Sequence, residues 1–247
     1  MISVFDTQPV ILEEKDGHVL TVSRNGLLYK DSNGEVLKDV DFEDVNGILP
    51  LGYLNSNISY NLIFRGRNWK NMAELDTDRY NTSGGHNIRE TKAIITAFAR
   101  HKLTDDFPDN LDTLDLPLDY SYFKKRETRL SGGVITNGKK EIPIRDIRRV
   151  KCITNGTISN LCIYTTDKGG FFFDMPKMTV TLNALTVPLL EAVMTRNTGH
   201  GIDSGRALRN LSSSVTWIPG TSSIRTARRM RSGRRLPATA LPVMGTI

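Results

Sequence analysis

Arg225, Arg228, Arg229, Arg231, Arg234 and Arg235 crowd one short stretch of this 247-residue chain. Guanidinium groups are planar, permanently charged and fork-shaped, and they pair bidentately with phosphate or carboxylate. Serine and glycine separate them and little apolar surface accompanies them, so the stretch from Ser222 cannot bury enough area to fold alone. With Arg206 and Arg209, eight arginines follow Asp203 and no acidic residue does. These eight exceed the net charge of +6 by two, which leaves residues 1–203 at about −2. A near-neutral body with a polycationic end calls for an anionic partner at that end: DNA or RNA first, an acidic protein surface next, a membrane last. No aromatic residue interrupts Arg225–Arg235, so base stacking is not implied. Trp217 and Ile218, just upstream, are the candidate protein-contact residues.

Other reactive residues form no recognisable constellation. His18, His86, His101 and His200 are scattered, whereas a zinc site needs several Cys or His at short intervals. Ser83-Gly84-Gly85-His86 and Ser131-Gly132-Gly133 read as glycine turns without the spacing and lysine of a phosphate-binding loop. Ser83 and His86 are loop neighbours with no orienting carboxylate, so they do not read as nucleophile and base. Six aspartates between Asp105 and Asp119 lack the alternation and glycine of a calcium loop. No catalytic residue, metal site or cofactor is expected, and the chain reads as a non-enzyme. Cys152 and Cys162 fall on neighbouring strands. A two-residue turn at Asn155-Gly156 sets Cys152 against Ser159, and a five-residue loop sets the cysteines opposite each other; free thiols are the expected state.

Composition narrows the class further. Apolar residues make up 38% of the chain, which favours modest cores. No run of about 18 apolar residues is present, so no membrane span is expected. The N-terminus lacks the basic start and apolar stretch of a secretory signal. Two cysteines suit a reducing compartment, so a cytoplasmic location is the expectation. The Asn-x-Ser/Thr triplets at Asn57, Asn81, Asn155 and Asn210 then count as chance matches.

The elements that would hold such a molecule together are mainly strands. Between residues 10 and 70, short apolar runs alternate with Asp16-Gly17, Asn25-Gly26 and Asn33-Gly34, strong hairpin signals because a type I′ turn needs positive φ. Ile58–Phe64 alternates with period two. Asn87 and Glu90 have the spacing of a capping box before a helix whose Thr91, Ile94, Ile95 and Phe98 share one face. Arg100, His101 and Lys102 sit at its last turn, where positive charge suits the helix dipole. Residues 104–122, rich in aspartate and bearing Pro108 and Pro117, read as an acidic linker. Strands recur at Val134-Ile135, Glu141–Ile144, Val150–Thr154, Leu161–Thr165 and Gly170–Phe173. A second helix falls within Leu182–Arg196, with Thr186 as cap and Pro188 in the first turn. The order "strands, then one helix" therefore occurs twice. Both blocks contain a short strand, an acidic step and a longer strand, at Asp41–Ile48 and Ile142–Val150.

The second block, through Ile142-Pro143-Ile144-Arg145-Asp146-Ile147-Arg148-Arg149-Val150, Leu161–Thr166, Gly169–Phe173 and the closing helix, resembles the bacterial and phage relatives of the pleckstrin-homology superfamily. The resemblance covers residues 125–197, follows residues 10–103 in outline, and includes nothing beyond residue 203. It implies a mostly β (α+β) fold: two small bent β-sandwich or barrel domains, 1–103 and 123–203, each closed by one C-terminal helix; the composition after them reads as an extended, flexible basic tail at 204–247. It also implies a non-catalytic scaffold that binds peptides, protein surfaces or anionic lipid headgroups. Family members that grip phosphoinositides carry a basic pattern in the first hairpin. Here Lys124-Lys125-Arg126 with Arg129, and Arg24 with Arg65 and Arg67, stand at other spacings. The expected function is an adaptor with a protein partner and a tail for nucleic acid or another anionic surface. The alternative is a structural or assembly protein, of a virion for example, whose tail docks on neighbouring subunits in a homo-oligomer.

Overall fold

The structure, a computed structural model, describes residues 9–14, 16–54, 58–76, 88–121, 124–154, 158–166 and 175–202. The expected Gly170–Phe173 strand, the capping residue Asn87 and the turn residues Asn155-Gly156 lie outside these. The mostly β class holds: among the described residues, strands form four antiparallel sheets accompanied by two α-helices, and no sheet closes into a barrel.

In the N-terminal half, β1 (Val10–Glu13), β2 (Val19–Val22), β3 (Gly26–Lys30) and β4 (Val36–Asp41) form a four-stranded meander. A three-stranded meander follows, β5 (Val45–Leu54), β6 (Ile58–Gly66) and β7 (Asn71–Asp76), and then α1 (Ile88–Leu103). The C-terminal half repeats that order. It has β8 (Asp115–Ser121), β9 (Arg126–Ser131), β10 (Val134–Thr136) and β11 (Glu141–Pro143) in one sheet, β12 (Arg149–Thr154), β13 (Ser159–Tyr164) and β14 (Met178–Thr181) in another, and α2 (Thr186–Thr198) last.

The two sheets of each half join through one 3-10 turn, at Phe42–Asp44 and at Ile144–Asp146. Each turn buries its leading apolar side chain, Phe42 or Ile144, and closes when the following Val45 or Ile147 amide donates back to that residue's carbonyl. The short-strand, acidic-step, long-strand pattern is thus a corner at which the chain passes from one sheet to the next.

The hairpin signals act in different ways. Gly34 has φ +84°, and Asp31 Oδ1 accepts from the Asn33 and Glu35 amides beneath it. Gly26 does not turn the chain; it opens β3 where a Cβ would collide with the Val40 carbonyl oxygen. The reversal before it is made by Ser23, whose hydroxyl accepts from the Asn25 and Gly26 amides.

The stretch read as an acidic linker is folded. Leu111, Leu114, Leu116 and Leu118 are buried, and Asp115–Ser121 pairs with β9 as the edge strand of its sheet. An apolar residue at every second position lies hidden among the aspartates, and Pro117 is tolerated because an edge strand has one side free of ladder bonds.

Helix α1 buries Thr91, Ile94, Ile95 and Phe98, the face expected from its periodicity. Phe98 meets Phe42 edge to face at 5.4 Å; sealing a phenylalanine in this way contributes about 1.5–3 kcal/mol. Pro188 lies in the first turn of α2 as expected, but Thr186 is not the cap. Asn183 Oδ1 accepts from the Leu185 and Thr186 amides, while Thr186 Oγ1 accepts from the Asn183 amide. The reciprocal pair is a capping box shifted three residues upstream. The buried side chains of both halves, from Leu20 to Met194, form one continuous core.

Candidate functional site

Arg225, Arg228, Arg229, Arg231, Arg234, Arg235, Trp217 and Ile218 all lie outside the described residues, as do Ser83 and His86. Of the remaining candidates, the cysteines are free: Cys162 is buried and Cys152 half-buried. Thr154 opposes Ser159, so Cys152 faces Leu161 and Cys162 faces Lys151. The connection is four residues long, and neither expected register occurs. Burial pushes the Cys152 thiol above its ordinary range, which keeps it protonated and unreactive at neutral pH.

Glu14, Asp16 and His18 gather around the first hairpin, their ligand atoms within 4.8 Å of one another. The sequence spacing concealed this, because the hairpin and not a helix brings the residues together. His18 Nδ1 lies 2.9 Å from Asp16 Oδ1, the His18 ring stacks on Tyr29, and the Tyr29 hydroxyl donates to Glu14. These contacts tie β1, β2 and β3 together.

The two halves meet through polar and aromatic groups as well as through the core. Trp69, in the turn between β6 and β7, donates from Nε1 to Glu127 Oε2 at 2.7 Å and stacks against Tyr120 with ring centroids 6.4 Å apart. The Ala184 amide, just before α2, donates to the Ile48 carbonyl of β5. Beside Tyr120 is Asp119, whose two oxygens accept from the Tyr120 amide at 2.8 Å and the Thr181 amide at 2.7 Å. Burial raises the Asp119 carboxyl above its ordinary value; those two amides and the charge of Arg65 oppose the rise without cancelling it.

A folded-state value above the unfolded one means that Asp119 stabilises the fold most below about pH 3.8, and that this contribution is lost as pH rises through the raised value. Asp119→Asn removes the titration, although its single oxygen satisfies only one of the two amides. The stability advantage of the wild type over Asp119→Asn is therefore expected to shrink as pH rises above about 3.8, followed by urea unfolding at each pH. An advantage that grows with pH would show that the amides, and not burial, control the carboxyl.

Charge is divided along the chain more sharply than the net value suggests. Residues 1–123 hold 20 acidic and 12 basic side chains, a formal −8, and residues 124–203 hold 7 and 13, a formal +6. The repeated corner shows the same inversion. In the first half it carries Asp41, Glu43 and Asp44, met by Lys102, His101 and Arg67. In the second it carries Arg145 and Arg148 with a single acidic residue, Asp146, all three exposed.

Several contacts place those arginines. Asn197 of α2 donates from one Nδ2 to the Ile144 and Ile147 carbonyls at 2.7 and 2.8 Å, pinning the corner to the helix. Arg148 donates from Nη1 to the Arg145 carbonyl and from its amide to Tyr164 O. On the other side of β13, the Lys177 amide donates to Ile163 O, and Lys140 Nζ donates to Lys177 O. Lys139, Lys140, Lys177, Arg148 and Arg145 are all exposed, and their segments meet about the end of β13 as a basic strip beside the half-buried Arg149 and Lys151. The cations come from three separate segments, and the −2 of the body taken whole averages them away; dividing the count near residue 123 would have exposed them.

No helix among the described residues is long and apolar enough to cross a membrane. No protein-family model matches the sequence, and comparison with curated proteins finds no match.

Proposed function

We infer that the chain is a non-catalytic adaptor: two pleckstrin-homology-like β modules present surfaces to a protein partner, and the arginine tail grips DNA or RNA. The observation that carries this reading is the repeated order of four-stranded meander, 3-10 corner, three-stranded meander and helix. That order fits the bent sandwich with a closing helix that the resemblance implies. A junction built on Trp69, Tyr120 and Glu127 supports the reading too, because modules locked to each other can hold two partner surfaces at a fixed separation.

The tail supplies affinity that is independent of sequence and sensitive to salt, since each neutralised phosphate releases a counterion. Replacing Arg225, Arg228, Arg229, Arg231, Arg234 and Arg235 by glutamine in the full chain is expected to flatten the dependence of log affinity on log salt by about 5, at about 0.9 per phosphate contact. Thermal unfolding should be unmoved. Fluorescence anisotropy with a labelled duplex over a salt series measures the first, and calorimetry the second. An unchanged salt slope rejects the tail as the nucleic-acid element. Loss of concentration-dependent self-association in the same variant, with DNA binding intact, would put an assembly protein in the adaptor's place.

A further inference from the structure

We propose that the basic strip of the C-terminal half, Lys139, Lys140, Lys177, Arg148 and Arg145, is a second nucleic-acid surface that binds the phosphate backbone independently of the tail. It shares the class of partner with the reading above and none of its residues.

Three features support a polymer over a single anionic group. First, the cations are spread out. Lys177 and Arg148 are hydrogen-bonded to opposite sides of the end of β13, so their backbones stand about two strand spacings, roughly 10 Å, apart. With Lys139, Lys140 and Arg145 beyond them, the set offers more cations than one phosphate can engage, which suits successive phosphates of a strand. Second, the strip is little compensated by described residues. Among the described residues its one ion pair is Arg145 with Asp146, at 4.0 Å and between exposed groups, where such a pair has little effect on the local field. Third, the strip is held in place before binding. Asn197 fixes both carbonyls of the corner, Arg148 is tethered to Arg145 O, and Lys140 to Lys177 O. Side chains already restrained lose less freedom when a ligand arrives.

The course of the chain favours nucleic acid over an acidic protein. Asn197 and Ile202 both belong to the C-terminal end of the α2 region, where the Ile202 amide folds back to donate to Glu191 Oε2. The segment that leads to the arginine tail therefore departs from the helix that pins the strip. One long polyanion can engage both, and two linked contacts raise the effective concentration of each other's ligand.

The test uses the full chain with Lys140→Gln, Arg145→Gln and Arg148→Gln combined, and a second chain with Lys140→Arg, Arg145→Lys and Arg148→Lys. The probes are a labelled mixed-sequence DNA duplex, a single-stranded RNA, and vesicles of phosphatidylserine and phosphatidylcholine. The glutamine variant is expected to lower the salt slope by about 2 to 3 and low-salt affinity by at least about tenfold, and the charge-preserving variant to restore both. The glutamine substitutions combined with the six tail substitutions should remove more affinity than either set alone. A glutamine variant that binds DNA and RNA as the wild type does, while melting normally, overturns the proposal and leaves the tail reading intact. Salt-sensitive binding confined to the vesicles overturns it in favour of a membrane surface.

Discussion

Trp69→Ala is expected to destabilise the protein by about 3–5 kcal/mol, the range for truncating a large buried aromatic. The side chain is only 6% exposed. It stacks on Tyr120, donates to Glu127, and lies 3.3 Å from where a Cβ on Gly47 would stand. Its removal opens a cavity between the halves and strips Glu127 of a short hydrogen bond. The backbone adds a second effect of opposite sign. Trp69 has φ +61°, a left-handed conformation that costs a residue with a Cβ about 1–2 kcal/mol. Nothing local demands a tryptophan there; glycine would suit the Gly66–Lys70 turn better. The strain is tolerated because the turn aims the indole at the other half. Trp69→Gly should therefore be more stable than Trp69→Ala by about 1 kcal/mol, although it removes more of the side chain. Equilibrium denaturation of the two variants measures the difference. A glycine variant less stable than the alanine variant would mean the backbone is not strained.

How much of this was legible in the sequence depended on whether the signal was local. The face of α1 and the short strands around Asn33-Gly34 and at Val134-Ile135 and Glu141–Ile144 were readable, because period and turn chemistry are properties of neighbouring residues. The repeat of strands followed by a helix was readable for the same reason. The 104–122 stretch was misread since its aspartates dominate the composition, whereas its fold follows from Leu114, Leu116 and Leu118, whose alternation only matters once β9 is there to pair with. The cap of α2 was misplaced because Thr186 has the right chemistry for a cap. Its hydroxyl is instead committed to Asn183 and the Thr181 carbonyl. The basic strip was invisible for a different reason. Lys140, Arg145, Arg148 and Lys177 are linked only through the fold, Lys140 to the Lys177 carbonyl and both Lys177 and Arg148 to β13, and no spacing rule connects residue 140 to residue 177.

The same distinction between local and assembled signals identifies the residue whose loss should damage the fold most for its size. Asn183 is 5% exposed and uses both ends of its amide. Nδ2 donates to the Leu118 carbonyl at 2.6 Å, and Oδ1 accepts from the first two amides of the α2 turn. Its neighbour Ala184 donates to Ile48 of the N-terminal half. One turn thus joins the closing helix, the edge strand β8 and the opposite half. Asn183→Ala forfeits an N-cap, about 0.5–2 kcal/mol, and strands a buried carbonyl whose desolvation costs a further 1–3 kcal/mol or so; a total near 3–4 kcal/mol is expected by urea unfolding. Asn183→Asp separates the two contributions. A carboxylate can accept from both amides but, when ionised, faces the Leu118 oxygen with no proton to give. This variant should be as damaged as alanine at neutral pH and recover on acidification, because a protonated carboxyl can donate again. Where burial outweighs the two amides and raises its folded-state pKa, the aspartate's contribution is fully present at low pH and lost as pH rises. If Asn183→Asp is equally unstable at both ends of that range, the Leu118 contact does not matter, and the helix cap alone accounts for the role of Asn183.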